Sequence, residues 1–132
     1  MDVAAFCDMH NACDSGVQWG LVYARMQELW DKGDNVEYIV WVASRYGVLT
    51  NSEMQAFKNY CASLAMPLAR PETVAAYHKG VGTVEAAFKG SWPDRVLMDI
   101  CLGCMCDMVC DLEKALGHYP VELLTWLRSN TM

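Results

Sequence analysis

Apolar residues recur along this chain at three- and four-residue spacing, the period of an amphipathic helix, and alternating β-branched runs are absent. Proline is scarce and stands at the edges of the apolar segments. The pattern predicts a first helix over Asp2–Cys13, broken at Asp14-Ser15-Gly16, and a second over Val17–Trp30, ended by Asp31-Lys32-Gly33-Asp34. A third, Asn35–Tyr46, sets Ile39, Val40, Ala43 and Tyr46 on one face and stops at Gly47. Thr50-Asn51-Ser52-Glu53 is a capping box, in which the Thr hydroxyl takes a free amide while the Glu reaches back. Met54, Phe57, Cys61, Leu64 and Leu68 follow as a narrow core-facing stripe, and Pro67 ends or kinks that fourth helix. Pro71 suits the first turn of a fifth helix, to about Lys79, and Thr83 caps a short segment, Val84–Phe88. Pro93-Asp94 opens a sixth helix that runs to Leu116, with Gly117 as its stop, and Tyr119-Pro120 begins a last one through Arg128.

The sixth helix is apolar on almost every side, which places it inside a bundle. Its polar positions, Asp99, Gly103, Asp107 and Asp111, recur every four residues as one drifting seam that reaches solvent or faces polar groups on a neighbour. The expectation is an all-α, single-domain bundle over residues 1–132, with six or seven helices around a central apolar helix at about 93–116.

Composition narrows the function classes. With 54% apolar and 20% charged residues the chain has enough apolar surface to bury a core, so disorder is not expected. Sixteen acids against ten bases give a net charge of −6, which disfavours direct contact with nucleic-acid phosphates and suits a basic protein partner. The same charge also serves simply to keep a small protein soluble. The longest apolar block, Val96–Leu112, is interrupted by Asp99, Asp107 and Asp111 and is short for a membrane span. No basic stretch precedes the first apolar residues. The reading therefore expects a cytosolic chain with no membrane partner, and leaves a homodimer open.

Seven cysteines, an odd count set in helical patterns, read as reduced thiols rather than a disulfide framework. Cys101-x-x-Cys104-x-Cys106-x-x-x-Cys110 has the composition of a zinc or iron–sulfur site. However, Leu102, Met105, Met108 and Val109 carry the helical core pattern straight through it, and on a regular helix Cys106 points away from Cys101 and Cys104. The simpler reading is small apolar filler, with Cys101, Cys104 and Cys110 buried and inert until unfolding. A metal or redox protein built on Cys101–Cys110 is the alternative. Cys7-x-x-His10-x-x-Cys13 drifts round its helix too far for its ends to share a ligand site. No metal and no cofactor are expected.

Catalysis finds little to work with. His10, His78 and His118 are scattered, and there is neither a nucleophile elbow nor a Gly-rich phosphate loop. Asp107 and Asp111 lie one turn apart, near enough to share a proton or a cation, and read more simply as a solvated seam or as bonds to a neighbouring helix. The chain is expected not to be an enzyme.

Binding has a better candidate. Tyr38, Trp41 and Arg45 fall on the face of the third helix opposite Ile39, Val40 and Ala43, and these residue types dominate protein–protein hot spots. Glu28, Asp31, Asp34 and Glu37 stand just before and among them as a local acidic group. The competing reading packs Tyr38 and Trp41 under another helix. The expected site is these seven residues, facing a basic protein surface of the kind that normally holds nucleic acid.

Glu28-Leu29-Trp30, Val40-Trp41-Val42-Ala43-Ser44-Arg45, Val48-Leu49-Thr50, Phe57, Tyr60-Cys61-Ala62, Arg70-Pro71 and Ala75-Ala76-Tyr77 together resemble a loose group of small helical bacterial and phage proteins of unassigned activity. Some of that group look like immunity proteins. The resemblance covers roughly residues 20–90 and rests on common helix-forming residues. After about Gly90 the group's alanine-rich tail is replaced here by the Cys/Met-rich helix. What the resemblance implies is a protein-binding inhibitor of bacterial or phage origin, and it carries over no catalytic residue.

Overall fold

The computed structural model describes residues 1–80 and 90–131, so the segment expected at Val84–Phe88 lies outside the described residues. Among the described residues there are nine α-helices and one 3-10 turn, joined by short loops. We number them α1 (Val3–His10), α2 (Asp14–Gly20), α3 (Met26–Lys32), α4 (Val36–Ala43), α5 (Asn51–Ala65), α6 (Pro71–His78), α7 (Trp92–Leu102), α8 (Met105–Leu116) and α9 (Glu122–Asn130), with the 3-10 turn at Met66–Leu68 between α5 and α6. The all-α bundle is as expected. No helix among the described residues is long and apolar enough to cross a membrane.

The local signals act where the chemistry says they should. Thr50 Oγ1 accepts the Glu53 amide at 3.1 Å and Glu53 Oε1 accepts the Thr50 amide at 2.9 Å, so α5 starts on a complete capping box. Gly117 takes the left-handed conformation that ends α8, whereas α4 ends at Ala43 with Ser44 as a right-handed cap, short of the stop expected at Gly47.

Two expected helices are each broken in two. The single helix expected over Val17–Trp30 is interrupted at residues 21–25. There the chain leaves helical geometry to pair with its own beginning: Val3 donates to Ala24 O, Met26 donates to Met1 O, and Asp2 and Arg25 form an antiparallel bridge. Gly20 permits the approach, since a Cβ there would lie 3.1 Å from Val3 Cγ1.

The central helix expected at about 93–116 is also two helices. Gly103 adopts φ +78°. Its own amide donates to Ile100 O at 3.2 Å and the Cys104 amide donates to Asp99 O at 2.9 Å, the paired bonds of a Schellman C-cap. After this turn α8 folds back on α7, the most extensive helix–helix contact of the molecule. Trp92 helps close the hairpin, with Lys114 Nζ 4.2 Å from its ring centroid. Only α7 is truly central: Val96, Leu97, Met98, Asp99 and Ile100 are buried in succession. It is packed by α5, α6 and α8. By contrast α8 is amphipathic, burying Met105, Met108, Val109 and Leu112 and exposing Cys104, Cys106 and Asp107 at its N-terminal end.

Further departures follow from burial. Cys104 is exposed, and Cys101 and Cys110 are only half-buried, so the expectation of three buried thiols fails because the Gly103 turn carries that stretch to the surface. The fully buried thiol is Cys61 on α5. Tyr46 lies beyond the end of α4 and is 98% exposed, while Val36 and Val42 are the additional core residues of that helix. Leu68, past the end of α5 in the 3-10 turn, is exposed.

Two polar contacts tie separate parts of the bundle. Buried Asp94, in the first turn of α7, accepts from the backbone and side chain of Arg70 and of Ser91. Arg128 on α9 donates to Trp30 O at 2.8 Å and to Gly33 O, satisfying carbonyls at the C-terminal end of α3.

Candidate functional site

Helix α4 organises the candidate site. Asn35 caps it by accepting the Tyr38 amide, and Tyr119 Oη accepts the Val36 amide at 2.9 Å. Its apolar side enters the core, and its other side carries Glu37, Tyr38 and Trp41 beneath α1 and α2. The Tyr38 ring lies 5.2 Å from Trp19, and its hydroxyl donates to Ser15 Oγ at 2.9 Å. Trp41 meets Phe6 edge-on at 6.2 Å. Both aromatic residues are half-buried, so each holds α4 against α1 and α2 while keeping part of its surface accessible. Arg45 lays its guanidinium 4.6 Å from the Trp41 ring centroid and donates from Nε to Trp41 O, which fixes the cation on the exposed end of this face.

The four acids do not form one group. Asp31, exposed and accepting from Gln27, lines a groove shared with Trp30 and Arg128. Glu28 is half-buried on α3. Asp34 and Glu37 turn instead towards α8. Burial raises the Tyr119 hydroxyl above its ordinary range and the Val36 amide opposes this, while the fields of Glu37, Glu113 and Asp34 raise it further. Cys110 is pushed up to about 11, first by burial, then by Glu37, whose Oε1 is 3.6 Å from its sulfur, and by Asp107 and Asp111. Asp34, Glu37 and Glu113 thus act together on Tyr119, and Glu37, Asp107 and Asp111 on Cys110, so Glu37 is common to both groups of acids. The α8 acids were not recognised as part of the site because their closeness to α4 depends on the hairpin turn at Gly103.

The acidic seam itself folds on the same turn. Asp99 is 8% exposed on α7, hydrogen-bonds to Asp111 on α8, and leaves Oδ2 without a partner. Burial, the bond to Asp111 and the charges of Asp111 and Asp107 push the Asp99 carboxyl up to about 8, against the attraction of Arg95. Asp99 therefore meets Asp111 across the hairpin, rather than Asp111 pairing with Asp107 as spacing alone brings to mind.

Between α1, α2, α3 and α4 lies a cavity of about 240 Å³. Phe6, Trp19, Tyr38 and Trp41 supply its aromatic walls, and Glu37 is the one charged residue among the described residues lining it. Cys13, exposed at its rim, has its thiol lowered by the hydroxyl of Ser15 and the amide of Gly16.

Among the described residues, no three His, Cys, Asp or Glu side chains converge as a metal site, and Cys101, Cys104, Cys106 and Cys110 do not gather. Cys101 belongs to α7, the other three follow its C-cap, and all seven cysteines are free thiols. Comparison with known proteins finds no matching family model, curated protein or solved structure.

Proposed function

We propose that this chain is a non-enzymatic protein-binding inhibitor that occupies a basic surface of a partner protein. The supporting observation is the crowding of acids where α4 meets α8: Asp34, Glu37 and Glu113 act on Tyr119, and Glu37, Asp107 and Asp111 on Cys110. Carboxylates held on two rigid, mutually packed helices keep their spacing, so they can stand where a nucleic acid would place its phosphates. Trp41, on the same helix as Glu37, and Arg45, just past its end, offer the accessible aromatic and cationic contacts that a docked surface uses as anchors. On this reading the charges set orientation and association rate, and the aromatic edge supplies contact area. The resemblance to small bacterial and phage helical proteins fits an anti-defence or immunity role, in which blocking a nucleic-acid-handling protein needs no chemistry.

The experiment is affinity capture from a bacterial lysate with the parent and with an Asp34→Lys/Glu113→Lys variant of unchanged circular dichroism. A basic protein held by the parent and lost from the variant supports the reading. A partner retained equally by both excludes this face.

A further inference from the structure

The cavity between α1–α3 and α4 is built differently from the acidic face beside it. Its volume, about 240 Å³, exceeds the roughly 150 Å³ that accommodates benzene in an apolar core. One aromatic ring with a short chain fills such a space, and anything much larger does not. The walls are chosen for a flat, apolar guest: Trp19, Tyr38, Trp41 and Phe6 stand around it in tilted and edge-on pairs, with ring centroids 5.2 Å apart for Trp19 and Tyr38 and 6.2 Å for Phe6 and Trp41.

One charge breaks this apolar lining. Glu37 borders the cavity, and among the described residues no basic side chain forms an ion pair with it. Its recorded side-chain contact is the long one, 3.6 Å, from the Cys110 thiol. The nearest local cation, Arg45, is engaged with Trp41 and Ser44 and does not line the cavity. A carboxylate beside several aromatic faces attracts a cation twice, by direct charge and through the ring quadrupoles.

We propose that this cavity is a binding site for a small aromatic monocation of the arylalkylamine class, its ring among Trp19, Tyr38 and Trp41 and its ammonium at Glu37. The site shares Glu37 and Trp41 with the proposed docking face, but its occupancy is measured with no partner present.

Isothermal titration calorimetry of the intact chain with 2-phenylethylamine, 2-phenylethanol and 3-phenylpropionate tests it. The expected order is amine, then alcohol, then carboxylate, with the amine at least about tenfold tighter than the alcohol. Glu37→Gln should bring the amine to the affinity of the alcohol and leave the alcohol unchanged. Gly16 lines the cavity within α2, and a Cβ there meets Cys13 Sγ at an ordinary 3.4 Å, so Gly16→Leu should fill the space and abolish binding of both. Equal affinity for amine and alcohol in the parent would overturn the role of Glu37, and no saturable binding of the amine at millimolar concentration would overturn the site. Both results come from the parent protein, so the proposal stands or falls even if a variant fails to fold.

Discussion

Asp94 grips Arg70 at two points: Oδ1 accepts its backbone amide at 2.9 Å and Oδ2 accepts its Nε at 3.0 Å. The carboxylate is fully buried and also takes the Ser91 amide and hydroxyl, whereas the Arg70 side chain is half-exposed. Burial raises the Asp94 carboxyl, but the bonds from Arg70, Ser91 and Thr73 outweigh it and hold the group below its ordinary range. The two partners are therefore unequal. Asp94→Ala leaves several donors unsatisfied and should cost at least about 3 kcal/mol in urea unfolding. Arg70→Ala keeps the backbone bond and should cost about 1 kcal/mol or less. Equal losses would contradict this description of the junction between the start of α6 and the start of α7.

Gly103 gives a test with a change of sign. In a continuous helix Gly103→Ala would stabilise the protein by about 0.5–1 kcal/mol. At φ +78° a Cβ is strained, and the same substitution should destabilise by about 1–2 kcal/mol. A higher Tm for the variant would restore the single central helix and remove the physical basis of the acidic face.

The Asp99–Asp111 pair predicts an unusual pH dependence. Asp99 titrates near 8 in the fold, above its ordinary 3.8. Its contribution to stability is therefore complete below the unfolded value and is lost progressively as pH rises towards the folded one, at about 1.4 kcal/mol per pH unit. Asp94 works in the other direction: its stabilisation is present above about 3.8 and is lost as pH falls below that. Urea midpoints should fall between about pH 5 and pH 8, and Asp99→Asn should flatten that slope and exceed the parent at the alkaline end. A parent with pH-independent stability across this range would contradict the raised Asp99 carboxyl.

Thiol chemistry separates the cysteines. The lowered Cys13 thiol is exposed, while Cys61 is buried and pushed well above the usual thiol range by that burial. With a chromogenic thiol reagent near neutral pH, the fastest native phase should disappear in Cys13→Ser, and Cys61 should react only after unfolding. A fast phase that survives Cys13→Ser would contradict this ordering.

Much of the fold is legible from single residues acting locally. Thr50 and Glu53 announce the start of α5, Pro71 begins α6, and Gly117 stops α8, because each signal depends on backbone geometry a few residues away. The break at Gly103 was hidden by its surroundings: Met105, Met108, Val109 and Leu112 resume the helical period directly after it, and a glycine inside such a pattern is as consistent with a tolerated flaw as with a left-handed cap. The left-handed glycine that ends α8 shows the signal that was available. The interruption at 21–25 carries no local mark at all, since it is imposed by pairing with residues 1–3.

The candidate site divides along the same line. Tyr38 and Trp41 share α4 with Glu37, as periodicity indicates, but Arg45 lies past the end of that helix at Ala43 and reaches back to Trp41. The acids meet different neighbours: Asp31 lines a groove with Arg128, Asp34 acts on Tyr119, and Glu37 reaches Cys110 of α8. Proximity in sequence concealed the structural duty of Trp41, whose contacts to Phe6 and Arg45 mean that Trp41→Ala loosens the fold as well as any interface. Charge reversals at surface acids are the cleaner probe.

The most direct test of the proposed docking face is the salt dependence of the association rate with the captured partner. For the parent, association should slow steeply as salt rises while dissociation changes little, and Asp34→Lys/Glu113→Lys should slow association by at least about tenfold with its circular dichroism unchanged. An association rate indifferent both to salt and to these two reversals would show that the acidic face does not meet the partner.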